Sequence, residues 1–170
     1  MNIHTFLTIF SAIVVLHGCV PNQQPDNPTP PQNPLVGAWL ITETTVTTPE
    51  STWTNENPQP GVYLFTERHF SNMLVPNEAR PLFDSETTDA EKLAAYTNFI
   101  ADCGAYEVNG SVIVTHNIVA KLPRAMRPDR EPGSGITYQF SFDGDSLLLT
   151  LDRAWAPPNG EIKYRLRRLE

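Results

Sequence analysis

Histidine and cysteine are scarce in this chain, four and two of 170 residues, and their placement excludes the simplest metal centres. Beyond an apolar leader only His69 and His116 remain, and no His or Cys cluster has the close spacing of a zinc site. No glycine-rich run is built to cradle a phosphate and no serine sits in a nucleophile elbow. Nothing in the sequence calls for a cofactor. Basic residues are the minority, 12 against 19 acidic for a net charge of −7, which argues against nucleic acid as a partner and against adsorption to an anionic membrane by charge. Charged side chains are missing altogether from the first 18 residues. Their apolar run FLTIFSAIVVL, Phe6 to Leu16, is too short to span a bilayer comfortably and has the length of a signal-peptide core.

The apolar run ends in Leu16-His17-Gly18-Cys19, which resembles a bacterial lipobox, in which the cysteine is acylated and becomes the new N-terminus. The resemblance implies a lipoprotein signal peptide over 1–18 and lipidation at Cys19, hence an exported, membrane-anchored lipoprotein of the bacterial cell envelope. Residues 20–34 hold six prolines, one charge (Asp26) and no aromatic residue, too little apolar surface to offset the entropy of ordering. With Cys19 they read as a disordered tether, 19–34, that in polyproline geometry reaches up to about 45 Å. With Cys19 acylated, Cys103 has no internal disulfide partner and reads as a small buried hydrophobe.

Residues 35–170 are enough for one domain with one core. Runs rich in Val, Ile, Leu, Phe, Tyr and Thr at about 37–46, 61–66, 69–75, 103–108, 111–120, 135–142, 146–151 and 162–169 predict eight strands. Asn109-Gly110 and Asp143-Gly144 specify tight hairpins, because both need positive φ. One helix, from about Asp89 to Asp102, interrupts the series between the third and fourth strands. Thr88 and Glu91 fit a capping box; Leu93, Tyr96 and Ile100 make an apolar stripe; Gly104 lies just past the end. If each strand reverses the last, every short turn falls at one end and every long loop at the other. That asymmetry predicts an all-β, eight-stranded up-and-down antiparallel barrel with a closed base and an elaborated mouth.

Gly37-Ala38-Trp39 matches the Gly-x-Trp that opens the first strand of lipocalins. With FTERHF at 65–70, GAYEVNGSVIVTHNIV, the FDGDSLLLTL hairpin and the terminal LRRL, the chain resembles the bacterial lipocalin-like domain family over residues 35–169. The resemblance implies that Trp39 plugs the barrel base under basic residues of the last strand, here Arg165, Arg167 and Arg168. It also implies one small, mostly apolar or lipid-like ligand in the barrel interior.

Alternation indicates what lines that interior. Tyr138, Phe140, Phe142, Leu147, Leu149 and Leu151 share one face of the last hairpin and must point in. Tyr106, Val108, Ile113 and Thr115 are favoured as inward on the preceding hairpin, which turns His116 outward. On the first strand Ile41, Glu43 and Thr45 share the direction of Trp39, so Glu43 is expected inside near the mouth. The expected ligand-binding set is therefore Trp39, Ile41, Glu43, Tyr106, Ile113, Thr115, Tyr138, Phe140 and Leu149. Two alternatives stand beside simple binding. Glu43, Tyr106 and Tyr138 would serve a cofactor-free isomerase or cyclase. Trp53 and Trp155, both in mouth loops, would form a lid or contact a protein partner, and loop 121–134 carries four basic residues against two acidic.

Overall fold

The computed structural model describes residues 33–76, 86–126, 136–151 and 156–170. The expected leader, Cys19, the expected tether up to Gln32, and Trp155 lie outside these residues. Among the described residues nine strands form the sheet: β1 (Gly37–Thr47), β2 (Thr52–Asn55), β3 (Gly61–Phe65), β4 (His69–Leu74), β5 (Ile100–Asn109), β6 (Val112–Ala120), β7 (Ile136–Asp143), β8 (Ser146–Leu151) and β9 (Glu161–Arg168). Every pairing is antiparallel, and β9 returns to β1 to close an eight-stranded barrel. The ninth strand, β2, lies beside the mouth half of β1, while β3 lies beside its base half. Residues 47–60 are thus not one loop. A tight turn, with the Thr48 N–H donating to the Ser51 carbonyl at 2.7 Å, sends β2 back along β1.

Because β2 exists, the helix comes after the fourth strand instead of the third. It is also shorter than its sequence suggests: α1 runs Asp89–Thr97, with both halves of the Thr88–Glu91 capping box formed. The Thr97 hydroxyl donates to the Leu93 carbonyl and the Asn98 N–H to that of Ala94. Then Ile100 pairs with Leu74 and the chain is already in β5, so Asp102 and Gly104 are strand residues. The anticipated apolar stripe is not the buried face. Leu93 and Tyr96 are 65% and 51% exposed, and Ala95 packs inward.

Both expected hairpin glycines take positive φ, 63° at Gly110 and 56° at Gly144. The base is dense. Leu35 is fully buried and accepts a 2.7 Å hydrogen bond on its carbonyl from the Trp39 indole N–H. The Arg168 guanidinium lies 4.2 Å from the Trp39 ring centroid and donates to the carbonyls of Val36 and Pro34. Only Arg168 closes the base. Arg165 and Arg167 have the opposite parity to Tyr164 and Leu166, and Arg165 instead reaches Asp143 on the outside at 2.9 Å. Gly37, at φ 139°, leaves room for this arrangement, since a Cβ there would sit 2.5 Å from Arg168 Nη1. Asn33 and Pro34, expected within the tether, contact the barrel: Asn33 Nδ2 donates to the Tyr106 hydroxyl at 2.7 Å, which in turn donates to the Thr66 carbonyl at 2.6 Å, and Pro34 supplies its carbonyl to Arg168.

This closure sets the expected effects of three substitutions, each read by thermal unfolding with circular dichroism. Trp39→Ala removes a ring only 1% exposed and is expected to cost about 3–5 kcal/mol. Arg168→Ala, which loses the cation–π contact and two hydrogen bonds, is expected to cost about 1–2 kcal/mol, whereas Arg167→Ala leaves the stability within about 0.5 kcal/mol of the parent.

Candidate functional site

Above the plugged base the barrel is not solid. A cavity of about 240 Å³ lies in its mouth half, walled by Tyr63, Tyr138 and Tyr164 with Asn72 and Asp102 and by apolar residues such as Ile136 and Leu151. A second space of about 250 Å³, lined by Ile41, Thr44, Val46, Trp53 and Ile162, shares Leu74 and Tyr164 with the first. Each is well beyond the roughly 10–15 Å³ that one water needs.

The polar residues of the first cavity come from neighbouring positions on three successive strands. Tyr63 of β3 pairs with Asn72 of β4, and Asn72 with Asp102 of β5. Across the barrel Tyr138 meets Tyr63 edge to face, with centroids 6.1 Å apart, and Tyr164 lies 6.3 Å from Tyr63. Burial disfavours the phenolates: it raises Tyr63 well above the ordinary tyrosine value, raises Tyr138 strongly, and pushes Tyr164 up to about 12. These three hydroxyls stay protonated at neutral pH. Desolvation likewise raises the Asp102 carboxyl, and the Lys121 charge partly offsets the rise. Lys121 is itself held in place. Its ammonium donates to the Phe99 carbonyl and lies 4.3 Å from the Tyr96 ring centroid.

Asn72 is the anomaly. It is 2% exposed, and its Oδ1 has no hydrogen-bond partner among the described residues. An orphaned buried acceptor costs about 1–3 kcal/mol. Asn117 Oδ1 is also buried and unpaired among them, but it sits beside the β5–β6 irregularity at Gly104, where β6 carries an extra residue. There a Cβ on residue 104 would collide with the His116 carbonyl.

Of the anticipated ligand-binding residues, Tyr138 alone lines the first cavity, and Ile41 lines the second. Trp39, Ile113 and Leu149 are packed into the core, with Phe140 against it. Thr115 is buried and donates to the Ile136 carbonyl at 3.0 Å. Tyr106 is inward as expected, but at the base, where Asn33 and Thr66 occupy its hydroxyl.

Glu43 is a correction. A β-bulge between Ile41 and Glu43 shifts the alternation by one: Ile41 pairs with Leu166, but Glu43 pairs with Arg165 and Thr44 with the buried Tyr164. Thr44 and Val46 therefore join Ile41 in the interior, while Glu43 and Thr45 turn outward. Glu43, Tyr106 and Tyr138 consequently occupy the outer wall, the base and the mouth half, and do not form one constellation. His116 is outward, its Nε2 3.8 Å from the Glu107 carboxylate. Cys103 is half-buried and unpaired. Trp53 is 51% exposed yet lines the second space. Among the described residues no group of three or more His, Cys, Asp or Glu is placed to hold a metal.

Tyr63, Asn72, Asp102 and Tyr164 are the residues that sequence reasoning missed. Parity with Phe65, Phe70 and Leu166 was the available signal for Tyr63, Asn72 and Tyr164. Asp102 had none, because overextending the helix concealed its strand position.

The raised Asp102 predicts a pH dependence. For an acid whose folded-state pKa lies above its unfolded value, the folded form retains the proton longer, so stability falls as pH rises from the ordinary 3.8 through the folded value. Asp102→Asn removes that loss. Denaturant titration is expected to find the variant at least as stable as its parent at pH 7, with the advantage vanishing below about pH 4.

No protein-family model matches the chain, and no curated protein matches it. Solved structures do. A lipocalin-like protein from Bacteroides uniformis aligns at 16% identity and TM-score 0.42, covering 81% of this chain and 100% of its own. An uncharacterized protein from Bacteroides eggerthii aligns at 12% identity and TM-score 0.41, covering 79% and 98%.

Proposed function

We infer that this protein is an exported, membrane-anchored lipocalin-like carrier that holds one small, mostly apolar molecule in its barrel. One observation carries the reading: a closed barrel whose base is fully packed retains two adjoining spaces of about 240 and 250 Å³ in its mouth half, walled mainly by aromatic and aliphatic side chains. Native cores are packed to crystal-like density with few voids larger than a water, and pockets of this chemistry are where small molecules bind. The anchor rests on the sequence, from the Leu16–Cys19 lipobox resemblance and the proline-rich stretch after it. A tether entering at the base lets the mouth face away from the membrane.

The test uses the full chain, expressed with its leader and extracted in mild detergent. Native mass spectrometry is expected to show a stoichiometric small molecule that denaturation releases, and a protein mass shifted by acylation that Cys19→Ala abolishes. Ile136→Trp, which projects an indole into the cavity at an overpacking cost of about 1–3 kcal/mol, is expected to retain the fold and lose the ligand. A clean unliganded mass that persists after incubation with lipid and metabolite extracts would replace the carrier with a module acting through its mouth loops and Trp53.

A further inference from the structure

We propose that the molecule held in the barrel is uncharged and carries a single hydrogen-bond donor, a hydroxyl or an N–H, which it presents to Asn72 Oδ1. This deepens the carrier reading and rests on it. Asn72 is only 2% exposed, lines the cavity, and has an acceptor with no partner among the described residues. Its neighbours around the wall, Tyr63 and Asp102, are polar as well. A barrel selected for stability alone would place an aliphatic side chain here. Phe70 and Leu74, which flank Asn72 on the same face of β4, are buried and apolar.

Charge decides between the donors a ligand could bring. An ammonium would find the Asp102 carboxyl, but Lys121 already acts on that group and is anchored by the Phe99 carbonyl and the Tyr96 ring. A second cation would have to share the single Asp102 carboxyl with Lys121. A carboxylate would face two further acceptors on the Asn72 wall, the Asp102 carboxyl and the unpaired Asn72 oxygen. Either ion meets a penalty that a neutral donor avoids. The body of the ligand rests against Tyr63, Tyr138 and Tyr164, which suits a flat ring system.

The experiment is isothermal titration of the full chain in detergent with four molecules sharing one body: 2-naphthol, 2-methoxynaphthalene, 2-methylnaphthalene and 2-naphthoate. At pH 7 the naphthol is expected to bind about tenfold more tightly than its methoxy and methyl counterparts, as one well-made buried hydrogen bond implies, and the naphthoate more weakly than all three. In Asn72→Leu, which keeps the branched shape of the side chain and removes its polar atoms, the naphthol advantage is expected to fall to about unity while 2-methylnaphthalene still binds. The variant's thermal midpoint is expected to hold or rise, whereas a merely structural Asn72 would make it fall. Equal affinities for naphthol and methylnaphthalene in the parent would overturn the donor assignment and leave the carrier standing. Tightest binding of the naphthoate would overturn it in favour of an anion site, and no binding by any of the four would overturn the carrier reading along with it.

Discussion

The stacking of Arg168 on Trp39 over the buried Leu35 is the contact on which the rest of the architecture depends. It joins the last strand to the first and draws residues 33–36 under the barrel, with the indole N–H, the guanidinium and the Tyr106 hydroxyl each given a carbonyl partner. Once the base is filled this way, the interior spaces among the described residues lie towards the mouth. Aromatic packing extends the plug through Phe65 and Tyr106, with the partly exposed Phe142 against Trp39, and from Phe65 it passes through Tyr63 to Tyr138 and Tyr164 on the cavity wall.

Two irregularities then determine which side chains face that space. The bulge at Thr42 exchanges Glu43 for Thr44 on the interior face and removes a carboxylate from the cavity. The irregularity opposite Gly104 adds a residue to β6, leaving Ile118 and Val119 both exposed while Ala120 returns inward. Strict alternation cannot anticipate either one, because a bulge changes the period locally without a hydrophobic signature. Local chemistry was enough for the eight barrel strands, the hairpin glycines and the capping box, since each is dictated by residues adjacent in sequence. The short β2 was not legible: TWTN carries little apolar pattern, and all four residues are exposed. Its pairing depends on the second half of β1, a tertiary partner.

The cavity was legible only in part, for a related reason. Alternation points to the aromatic face of the last hairpin, and that face is inside except at Phe142, which is 39% exposed, but most of the rest is consumed by the core. Tyr138 survives as a wall residue because it sits at the mouth end of β7. Tyr63, Asn72 and Asp102 converge from strands distant in sequence, and their relationship exists only in the registers of β3 with β4 and β4 with β5. Arg168 shows the converse. Its parity with Tyr164 and Leu166 distinguishes it from Arg165 and Arg167, so the base-closing cation was readable from the sequence once alternation was applied to β9.

The two halves of the barrel obey different rules, and the contrast is the strongest physical argument for where function resides. At the base, polar groups that enter the interior are matched: the indole, the guanidinium, the Asn33 amide and the Tyr106 hydroxyl all have partners within hydrogen-bonding distance. In the mouth half a carboxyl is held against its desolvation and an amide oxygen is left unpaired, beside a void that apolar side chains could have filled. Each departure costs stability by itself, and the three occur together, on one wall. Sequences keep local inconsistencies of this kind where function requires them. A bound molecule would offset two at once, filling the void and supplying the donor that Asn72 lacks, so the same interaction that stabilises the barrel would also select the ligand.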